Sequence, residues 1–486
     1  MPAPPLPLAY RLVRAVVGGL LRLFFRDVAV EGARHVPRDR GGLLVAWHPN
    51  GLIDPALIFA YLPAQVVFGA RDGLFRWPLL GTLMRRIGTV PIYRAVDAAP
   101  GADADEARRE ANARSLEALA AAIAGGRYAA LFPEGHSHDL PYPTELKTGA
   151  ARLYLRAVQQ AAEAGRPTPA LVPVGLHYDD KDSFRSDVLV RFHRPLRLPP
   201  SLLAAPLSPA EARAQVGRLT ALIEQTLVET VHATDSWELH AIMHRARTLM
   251  RAEAAATRGA RLGPETVAER HAGFGAVWHG YQRRRATHPE EVEALRRDLE
   301  AYDAGLRALA LDDADLDQPP LPSPARFAAL VAKALAATLF LRPLVELGLV
   351  VNAPPYWALK PIAQRLAKAE KDVATVKLFA GAVLFPLAWL AAALLAVAGM
   401  EPLRAVVPGT AVSPWLVGGA VFLLSALGGA LALLASEAAQ HTWQRVRARL
   451  TRLRHPERIG QLRAERALLH DRFVALAERR APASAA

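Results

Sequence analysis

Two long segments without a charged residue lie near the C-terminus of this 486-residue chain. Residues 378–399 form a run of 22 uncharged, mostly apolar residues, and residues 413–436 form a second run of comparable length. A helix of about 20 apolar residues crosses the hydrocarbon core of a bilayer, which is about 30 Å thick. The two runs therefore predict a transmembrane helical hairpin. A buried helical hairpin in a water-soluble domain is the alternative.

The charges around these runs predict the orientation of the hairpin. Lys368, Lys371 and Lys377 precede the first run, and five arginines between residues 445 and 454 follow the second. Lys and Arg are in excess on the cytoplasmic side of membrane proteins. We therefore expect both ends of the hairpin to be cytoplasmic.

The first 200 residues follow a different pattern, in which short β-rich runs alternate with helical stretches. The β-rich runs begin near residues 43, 66, 89, 128, 171 and 188, and the stretches between them include helical patterns at 106–124 and 149–165. Strands that alternate with helices are typical of an α/β domain. We expect a mixed, largely buried sheet flanked by helices between about residues 28 and 200.

Composition divides the chain into three predicted parts. Residues 1–206 would form the α/β domain with an N-terminal amphipathic helix, which would lie at a membrane surface or pack on the domain. Residues 207–317 are rich in Ala, Arg and Glu and predict a helical extension. A proline-rich break then introduces residues 318–486, a membrane domain that ends in a basic helix. In this last part, residues 334–351 are apolar but interrupted by charges, so we expect an interfacial or re-entrant segment.

Charge and cysteine content limit the classes of function. A formal net charge of +13 favours polyanionic partners, either nucleic acid or an anionic membrane surface with phosphate-bearing substrates. The sequence contains no zinc knuckle, RNP-like aromatic strand or basic helix-turn-helix pattern, so we expect no nucleic-acid partner. The absence of cysteine excludes disulfides, thiolate zinc sites and a cysteine nucleophile.

A histidine and an aspartate directly follow the first buried run. Residues 48–54 read His-Pro-Asn-Gly-Leu-Ile-Asp. An imidazole is a suitable base for an alcohol near neutral pH, and Asp54 could hydrogen-bond the second ring nitrogen of His48. Asp54 also precedes Pro55 and an apolar run, which is typical of a helix N-cap.

Three further motifs each lie at or beyond a predicted strand. Residues 88–94 (Gly-Thr-Val-Pro-Ile-Tyr-Arg) end in Arg94, residues 132–139 read Phe-Pro-Glu-Gly-His-Ser-His-Asp, and residues 172–175 read Val-Pro-Val-Gly. A guanidinium binds a phosphate through two hydrogen bonds. Loops at strand ends commonly carry the catalytic groups of α/β domains, so these motifs indicate an enzyme with an anionic substrate.

In this order, the four motifs resemble those of the glycerolipid acyltransferase family. Its members move a fatty acyl group from a thioester to a hydroxyl of glycerol phosphate or lysophosphatidate. The resemblance covers about residues 28–200. It implies that His48 is the catalytic base and Asp54 its partner, that Arg94 binds phosphate, and that Glu134 and Gly135 shape the acceptor site.

This sequence departs from the family pattern in its first motif. Family members usually have four residues between the histidine and the aspartate, and this chain has five. One extra residue on a regular helix would rotate the aspartate by about 100°. The pair therefore requires a turn, which Pro49 and Gly51 could form.

The third motif also differs from the family pattern. The usual continuation, Thr-Arg-Ser, is replaced by the four residues from His136 to Asp139, which removes an arginine that often assists phosphate binding. We expect Ser137 and His138 to take part in substrate binding. Lys147 or Arg152 would supply the missing cation.

The resemblance implies a membrane-bound enzyme of phospholipid biosynthesis, and the expected orientation of the hairpin would put its active domain on the cytoplasmic side. Its partners would be membrane lipid, an acyl-CoA or acyl-carrier-protein thioester and a phosphorylated glycerol, and no further cofactor or metal is implied. The altered third motif, the helical extension and the hairpin are most similar to the larger acyltransferases of bacteria and fungi that act on glycerol 3-phosphate or dihydroxyacetone phosphate. We expect glycerol 3-phosphate as the acceptor, with lysophosphatidate or dihydroxyacetone phosphate as alternatives.

Two other classes of function stay open. One is a metal-dependent lipid hydrolase that uses some of His48, Asp54, His136, His138 and Asp139 as ligands. The other is a non-catalytic membrane protein that only binds lipid.

Overall fold

The computed structural model describes residues 6–76, 78–93, 102–205, 208–260, 262–317, 324–367, 373–406 and 412–478. The chain divides into two compact units. The first comprises residues 1–240, 266–272 and 367–375, and the second comprises residues 241–265, 273–366 and 376–486. The three parts expected from composition do not follow this division and stay a prediction.

A seven-stranded sheet lies at the centre of the first unit. Its strands are β1 (Asp27–Glu31), β2 (Gly42–Ala46), β3 (Val66–Arg71), β4 (Val90–Ile92), β5 (Tyr128–Leu131), β6 (Ala170–Tyr178) and β7 (Asp187–Phe192). They are arranged in the order β1-β7-β6-β2-β5-β3-β4. All neighbours are parallel except β6 and β7, which are antiparallel. The mixed sheet predicted from the sequence is confirmed.

Helices flank this sheet, as predicted. They are α1 (Leu8–Phe24), α2 (Ile53–Tyr61), α3 (Pro78–Arg86), α4 (Ala102–Ala124), α5 (Gly149–Glu163), α6 (Pro200–Leu203) and α7 (Pro209–Val231). The apolar sides of α4, α5 and α7 share one core with β2 and β5, in which Leu43, Leu119, Leu153 and Leu219 are fully or almost fully buried. Removal of this apolar surface from water is the main contribution that stabilises the sheet.

Three parallel strands bring the sequence motifs to one edge of the sheet. β2 pairs in parallel with β5 on one side and with β6 on the other. The carboxyl ends of all three strands therefore meet at the same edge. His48 follows the end of β2, Glu134 follows the end of β5, and Tyr178 is the last residue of β6.

Strand β1 was not among the strands predicted from the sequence. This five-residue strand pairs with β7 at the edge of the sheet and is only partly buried. It begins three residues after α1 ends, and its alternating pattern is too short to separate it from the apolar run of the helix.

Helix α1 has two apolar faces. Tyr10, Leu21 and Phe24 are buried against the first unit, and the Tyr10 hydroxyl accepts a hydrogen bond from the backbone N–H of Val66 at 3.0 Å. Leu12 and Val16 are instead 59% and 63% exposed. Packing on the domain is thus confirmed for one face, and the other face remains open.

The described part of the second unit is helical. Helices α8 (Trp237–Thr257), α9 (Val267–Thr287) and α13 (Val373–Val406) contribute to both units. The remaining helices are α10 (Pro289–Leu309), α11 (Asp313–Leu316), α12 (Pro324–Leu366), α14 (Pro414–Arg454) and α15 (Pro456–Glu478). The helical region after the sheet domain is therefore confirmed.

Helices α13 and α14 contain the two uncharged runs. By length and composition, both are apolar enough to cross a membrane. Only 6% of the most apolar window of α13 is buried, whereas the core helix of a soluble protein is mostly buried. This exposure favours the transmembrane hairpin over the buried one, while its cytoplasmic orientation stays a prediction.

Helix α12 runs without a break through residues 334–351, which excludes a re-entrant loop there. Asn352 on this helix donates to the backbone oxygen of Ser425 on α14 at 2.9 Å, and its side-chain oxygen accepts from Trp389 on α13 at 2.8 Å. A Cβ atom added to Gly348 would lie 2.1 Å from the backbone of Gly428. Small residues at this crossing therefore let α12 and α14 pack closely, with Asn352 joining all three helices.

Three histidines of the first unit are buried where protonation is unfavourable. Burial, and then the charges of Arg191 and His35, lowers the pKa of His193 to about 4. Burial also lowers the pKa of His240 to about 4. The pKa of His177 is held well below its usual range, first by burial and then by neighbouring histidines. Because an unfolded chain binds these protons near pH 6.5, the folded state loses stability as the pH falls below that value.

We predict that His193→Gln weakens this pH dependence. At about pH 5, His193 should lower the free energy of unfolding of the wild type by about 2 kcal/mol relative to its value near neutral pH. The glutamine of the variant does not titrate, so this decrease should be absent. Thermal unfolding in one detergent at about pH 7.5 and about pH 5 measures the difference. Equal shifts in unfolding temperature for the two proteins would show that burial of His193 is not a cause.

Candidate active site

A turn brings Asp54 back to His48. The Nδ1 atom of His48 lies 2.8 Å from Oδ2 of Asp54. Residues 49–52 are not helical, and the backbone oxygen of Asn50 accepts hydrogen bonds from the N–H groups of Ile53 and Asp54. Gly51 has a φ of +34°, which disfavours other residues. This turn accommodates the additional residue of the motif, as the sequence analysis required.

The expected helix N-cap at Asp54 is wrong. Helix α2 begins one residue earlier, at Ile53, so Asp54 lies in its first turn. The fully buried Asp54 carboxylate accepts hydrogen bonds from the His48 ring, from the Asn50 N–H at 2.7 Å and from the Tyr178 hydroxyl. Its two oxygens thus bind three donors, which is how a buried carboxylate is satisfied.

These contacts define the tautomer of His48. Because Asp54 can only accept, the hydrogen bond requires the His48 proton on Nδ1, which leaves a lone pair on Nε2. Nε2 has no hydrogen-bond partner among the described residues. The ring stacks on Phe132 with centroids 4.0 Å apart, and the side chain is 17% exposed. His48 therefore presents a fixed basic nitrogen.

Tyr178 is a site residue that the sequence analysis missed. It lies three residues beyond the Val-Pro-Val-Gly motif, at the end of β6, and it is 124 residues from Asp54. Burial, and then the negative charge of Asp54, raises the pKa of its hydroxyl well above the usual range. Tyr178 therefore keeps its proton and acts as a donor to Asp54. The available signal was a polar residue at the carboxyl end of a buried run.

Glu134 is a second buried carboxylate, and it holds the backbone of the same loop. Its Oε2 accepts from the N–H of His48 at 2.9 Å. Its Oε1 accepts from the N–H of Thr144 at 3.0 Å and from Nε2 of His138 at 2.7 Å. All three groups that donate hydrogen bonds to the Glu134 carboxylate belong to this chain. Glu134 therefore positions the base, although the family resemblance had assigned it to the acceptor.

His138 supports Glu134 from inside the protein. Its Nδ1 accepts a hydrogen bond from the N–H of Leu140 at 3.2 Å, so its proton lies on Nε2, which donates to Glu134. Both ring nitrogens are thus engaged within the chain, and direct substrate binding by His138 is not favoured. Ser137 is half-buried on the same loop, and its role in substrate binding stays a prediction.

Lys147 lies over the tip of the third motif. Gly135 has a φ of +74°, and a Cβ atom there would lie 2.9 Å from Nζ of Lys147. Lys147 and Arg152 are both exposed, and neither forms an ion pair in the part of the chain that the structure describes. Glycine at position 135 thus leaves room for the Lys147 ammonium over this loop. Arg94, the predicted phosphate ligand, lies outside the described residues.

The residues proposed for a metal site do not converge. Across the described ranges, no group of three or more His, Asp or Glu side chains could hold a metal ion. His136 is exposed, and its Nδ1 contacts the backbone oxygen of Glu134 at 3.1 Å. The metal-dependent hydrolase therefore lacks a ligand set among these residues.

Known proteins resemble part of this chain. An uncharacterized acyltransferase of Schizosaccharomyces pombe is 24% identical over 295 residues, covering 44% of this chain and 43% of that protein. Glycerol-3-phosphate O-acyltransferase 1 of Saccharomyces cerevisiae is 24% identical over 254 residues, covering 52% of this chain and 32% of that protein. The matched region spans less than half the length of either relative.

Among solved structures, the 1-acyl-sn-glycerophosphate (LPA) acyltransferase from Thermotoga maritima is 19% identical with a TM-score of 0.30, covering 45% of this chain and 81% of that chain. A family model described as Acyltransferase matches residues 27–177, from β1 into β6. This match contains His48, its buried partner Asp54 and the Glu134 loop. Residues 27–177 therefore match an acyltransferase domain.

Proposed function

We propose that this chain transfers a fatty acyl group from a thioester to a hydroxyl of glycerol 3-phosphate, as a step of phospholipid biosynthesis. The observation that carries the proposal is the His48 ring, with Nδ1 bound to Asp54 and Nε2 without a partner among the described residues. An acceptor alcohol needs such a base as it attacks a carbonyl. The reaction requires neither a metal nor a further cofactor.

The reaction proceeds by direct attack of the acceptor. Nε2 of His48 takes the proton of the glycerol hydroxyl. At the same time, the hydroxyl oxygen forms a bond to the carbonyl carbon of the thioester. Asp54 stabilises the imidazolium that forms. The carbon–sulfur bond then breaks, and the leaving thiolate takes the proton back from Nε2. The products are an ester and a free thiol, and the histidine returns to its initial tautomer.

Exposed cations that follow the Glu134 loop in the sequence support a phosphorylated acceptor. Lys147 lies over Gly135, beside the glutamate that holds the His48 backbone. Arg152 lies one turn into α5 and is also exposed. Arg94 would add a bidentate phosphate contact. The S. cerevisiae relative is named as a glycerol-3-phosphate O-acyltransferase, which supports glycerol 3-phosphate over other phosphorylated acceptors.

We further propose that the enzyme acts at a membrane, with its catalytic domain on the cytoplasmic side. Helices α13 and α14 are long and apolar enough to anchor it. The positive charges that flank the hairpin support this orientation. The membrane would also receive the acylated product. The acyl donor would be acyl-CoA or acyl-carrier protein.

An acyl-transfer assay with the purified full chain tests the acceptor. A labelled acyl-CoA, and separately a labelled acyl-carrier protein, would be offered with glycerol 3-phosphate, dihydroxyacetone phosphate, lysophosphatidate or other lysophospholipids. We expect label in lysophosphatidate with glycerol 3-phosphate, and a loss of at least about a hundredfold in His48→Ala. His455→Ala, at an exposed position, is the matched control. Label transfer only to lysophosphatidate would identify the alternative acceptor, and full activity of His48→Ala would exclude the mechanism.

We predict that Tyr178→Phe lowers kcat by about tenfold or more, because a hydrogen bond to a charged group contributes about 1.5–3 kcal/mol. KM should change little, since Tyr178 contacts Asp54 and not the acceptor. Tyr154→Phe also removes one buried hydroxyl, which donates to the Pro169 oxygen, and serves as the control. Loss of kcat in both variants would indicate a general effect on folding.

Lys147→Gln should raise the KM for glycerol 3-phosphate by about tenfold, because a cation that faces a phosphate is lost. Its kcat should fall less, since the base and its partners are unchanged. Arg213→Gln removes an exposed positive charge on α7 and controls for the net charge. An unchanged KM in Lys147→Gln would remove this lysine from the acceptor site.

A further inference from the structure

An open groove lies between α1 and the end of α2, both in the first unit. Its volume is about 680 Å³, and Arg11, Arg14, Arg22 and Tyr61 line it. Small residues of α1, including Gly18 and Gly19, form the remaining wall with Ala60. This groove shares no lining residue with the site around His48.

The groove carries three positive charges without a neutralising carboxylate. Arg14 donates from Nε to the backbone oxygen of Ala60 at 2.8 Å. Within the described ranges, Arg11, Arg14 and Arg22 form no ion pair. Three neighbouring guanidinium groups repel one another, so an anion in the groove would lower their electrostatic energy.

Tyr61 provides a second, independent sign of a ligand. Its hydroxyl is buried and has no hydrogen-bond partner among the described residues. Buried polar groups are normally satisfied, and an unmet one is unfavourable. An oxygen atom of a bound anion would satisfy this donor. Phosphate combines that acceptor with the negative charge that the arginines require.

The outer face of α1 indicates where such a phosphate comes from. Leu8, Leu12, Val16 and Leu23 are 59–68% exposed. At 100° per residue, these four side chains lie within an arc of about 80°, and Arg11 and Arg22 both lie beside one edge of that arc. A helix with an exposed apolar stripe beside basic residues lies in the interface of an anionic bilayer. The phosphate is therefore that of a phospholipid, whose acyl chains contact the stripe.

We propose that this arginine groove binds the phosphate of an anionic phospholipid in the membrane surface. Arg11 or Arg22 contacts the phosphate oxygens, and the Tyr61 hydroxyl donates to one of them. The lipid is a structural ligand of α1 and is not consumed. The proposal does not depend on acyl transfer, because no hydrogen bond among the described residues joins a groove residue to His48, Asp54 or Glu134.

A spin label on α1 tests the proposal in the full chain. The protein has no cysteine, so Leu12→Cys carries a single nitroxide on the exposed stripe. The His48→Ala background prevents turnover of lipid. The chain would be placed in nanodiscs of phosphatidylcholine with increasing phosphatidylglycerol, and the immersion depth of the label would be measured from its accessibility to oxygen and to a nickel chelate. We expect immersion to increase with phosphatidylglycerol.

Three variants distinguish a built site from diffuse attraction. In Arg11→Gln/Arg22→Gln, the phosphatidylglycerol fraction at half effect should rise by about fivefold or more, since each basic residue at an anionic surface contributes a factor of about five. Arg34→Gln/Arg38→Gln removes the same charge from exposed positions outside the groove and should match the wild type. Tyr61→Phe should also raise the midpoint, although it changes no charge.

Two results would overturn the proposal. One such result is an equal rise of the phosphatidylglycerol midpoint in both double arginine variants, with no rise in Tyr61→Phe. It would mean that immersion depends only on the net charge of the protein. Immersion that stays constant as phosphatidylglycerol increases, but changes when inorganic phosphate is added at constant ionic strength, would mean that the groove binds a free phosphate and no lipid. Because immersion is read without turnover, neither result bears on the acyl-transfer proposal.

Discussion

The buried carboxylate of Asp54 is the interaction on which the site depends. It accepts hydrogen bonds from the His48 ring, the Asn50 backbone and the Tyr178 hydroxyl. These donors come from the turn after β2 and from the end of β6. A carboxylate removed from water requires such donors, since an unsatisfied buried charge is strongly unfavourable. The requirement couples the fold of two neighbouring strands to the tautomer of one histidine.

Glu134 gives the same loop a second anchor from the opposite neighbour of β2. It binds the His48 backbone, whereas Asp54 binds the His48 ring. The base is therefore held at two points by carboxylates from different segments. Glu134 is itself held by His138, whose tautomer is set by the Leu140 N–H. Such connected networks orient a catalytic group before substrate binds, so that little reorganisation is needed during the reaction.

Helix α1 shows how one amphipathic pattern can serve two surfaces. Part of its apolar set packs under the domain, and another part remains exposed beside three arginines. Helical spacing predicted that the segment is amphipathic, but it did not divide these residues between the core and the exterior. That division follows from the position of α2, because Phe59 on this helix packs against the ring of Tyr10. The groove exists because the two helices meet at small residues.

The sequence by itself determined the local structure and much of the chemistry. Alternating apolar runs predicted six of the seven strands, uncharged length predicted the two apolar helices, and residue types placed His48 and Asp54 in one motif. Tertiary structure decided the partners of these groups: Tyr178 on Asp54, Glu134 on the His48 backbone and Lys147 over Gly135. Local periodicity reflects burial and backbone preference within a few residues. Hydrogen-bond partners depend instead on the order in which distant strands pair, and that order forms only when the sheet does.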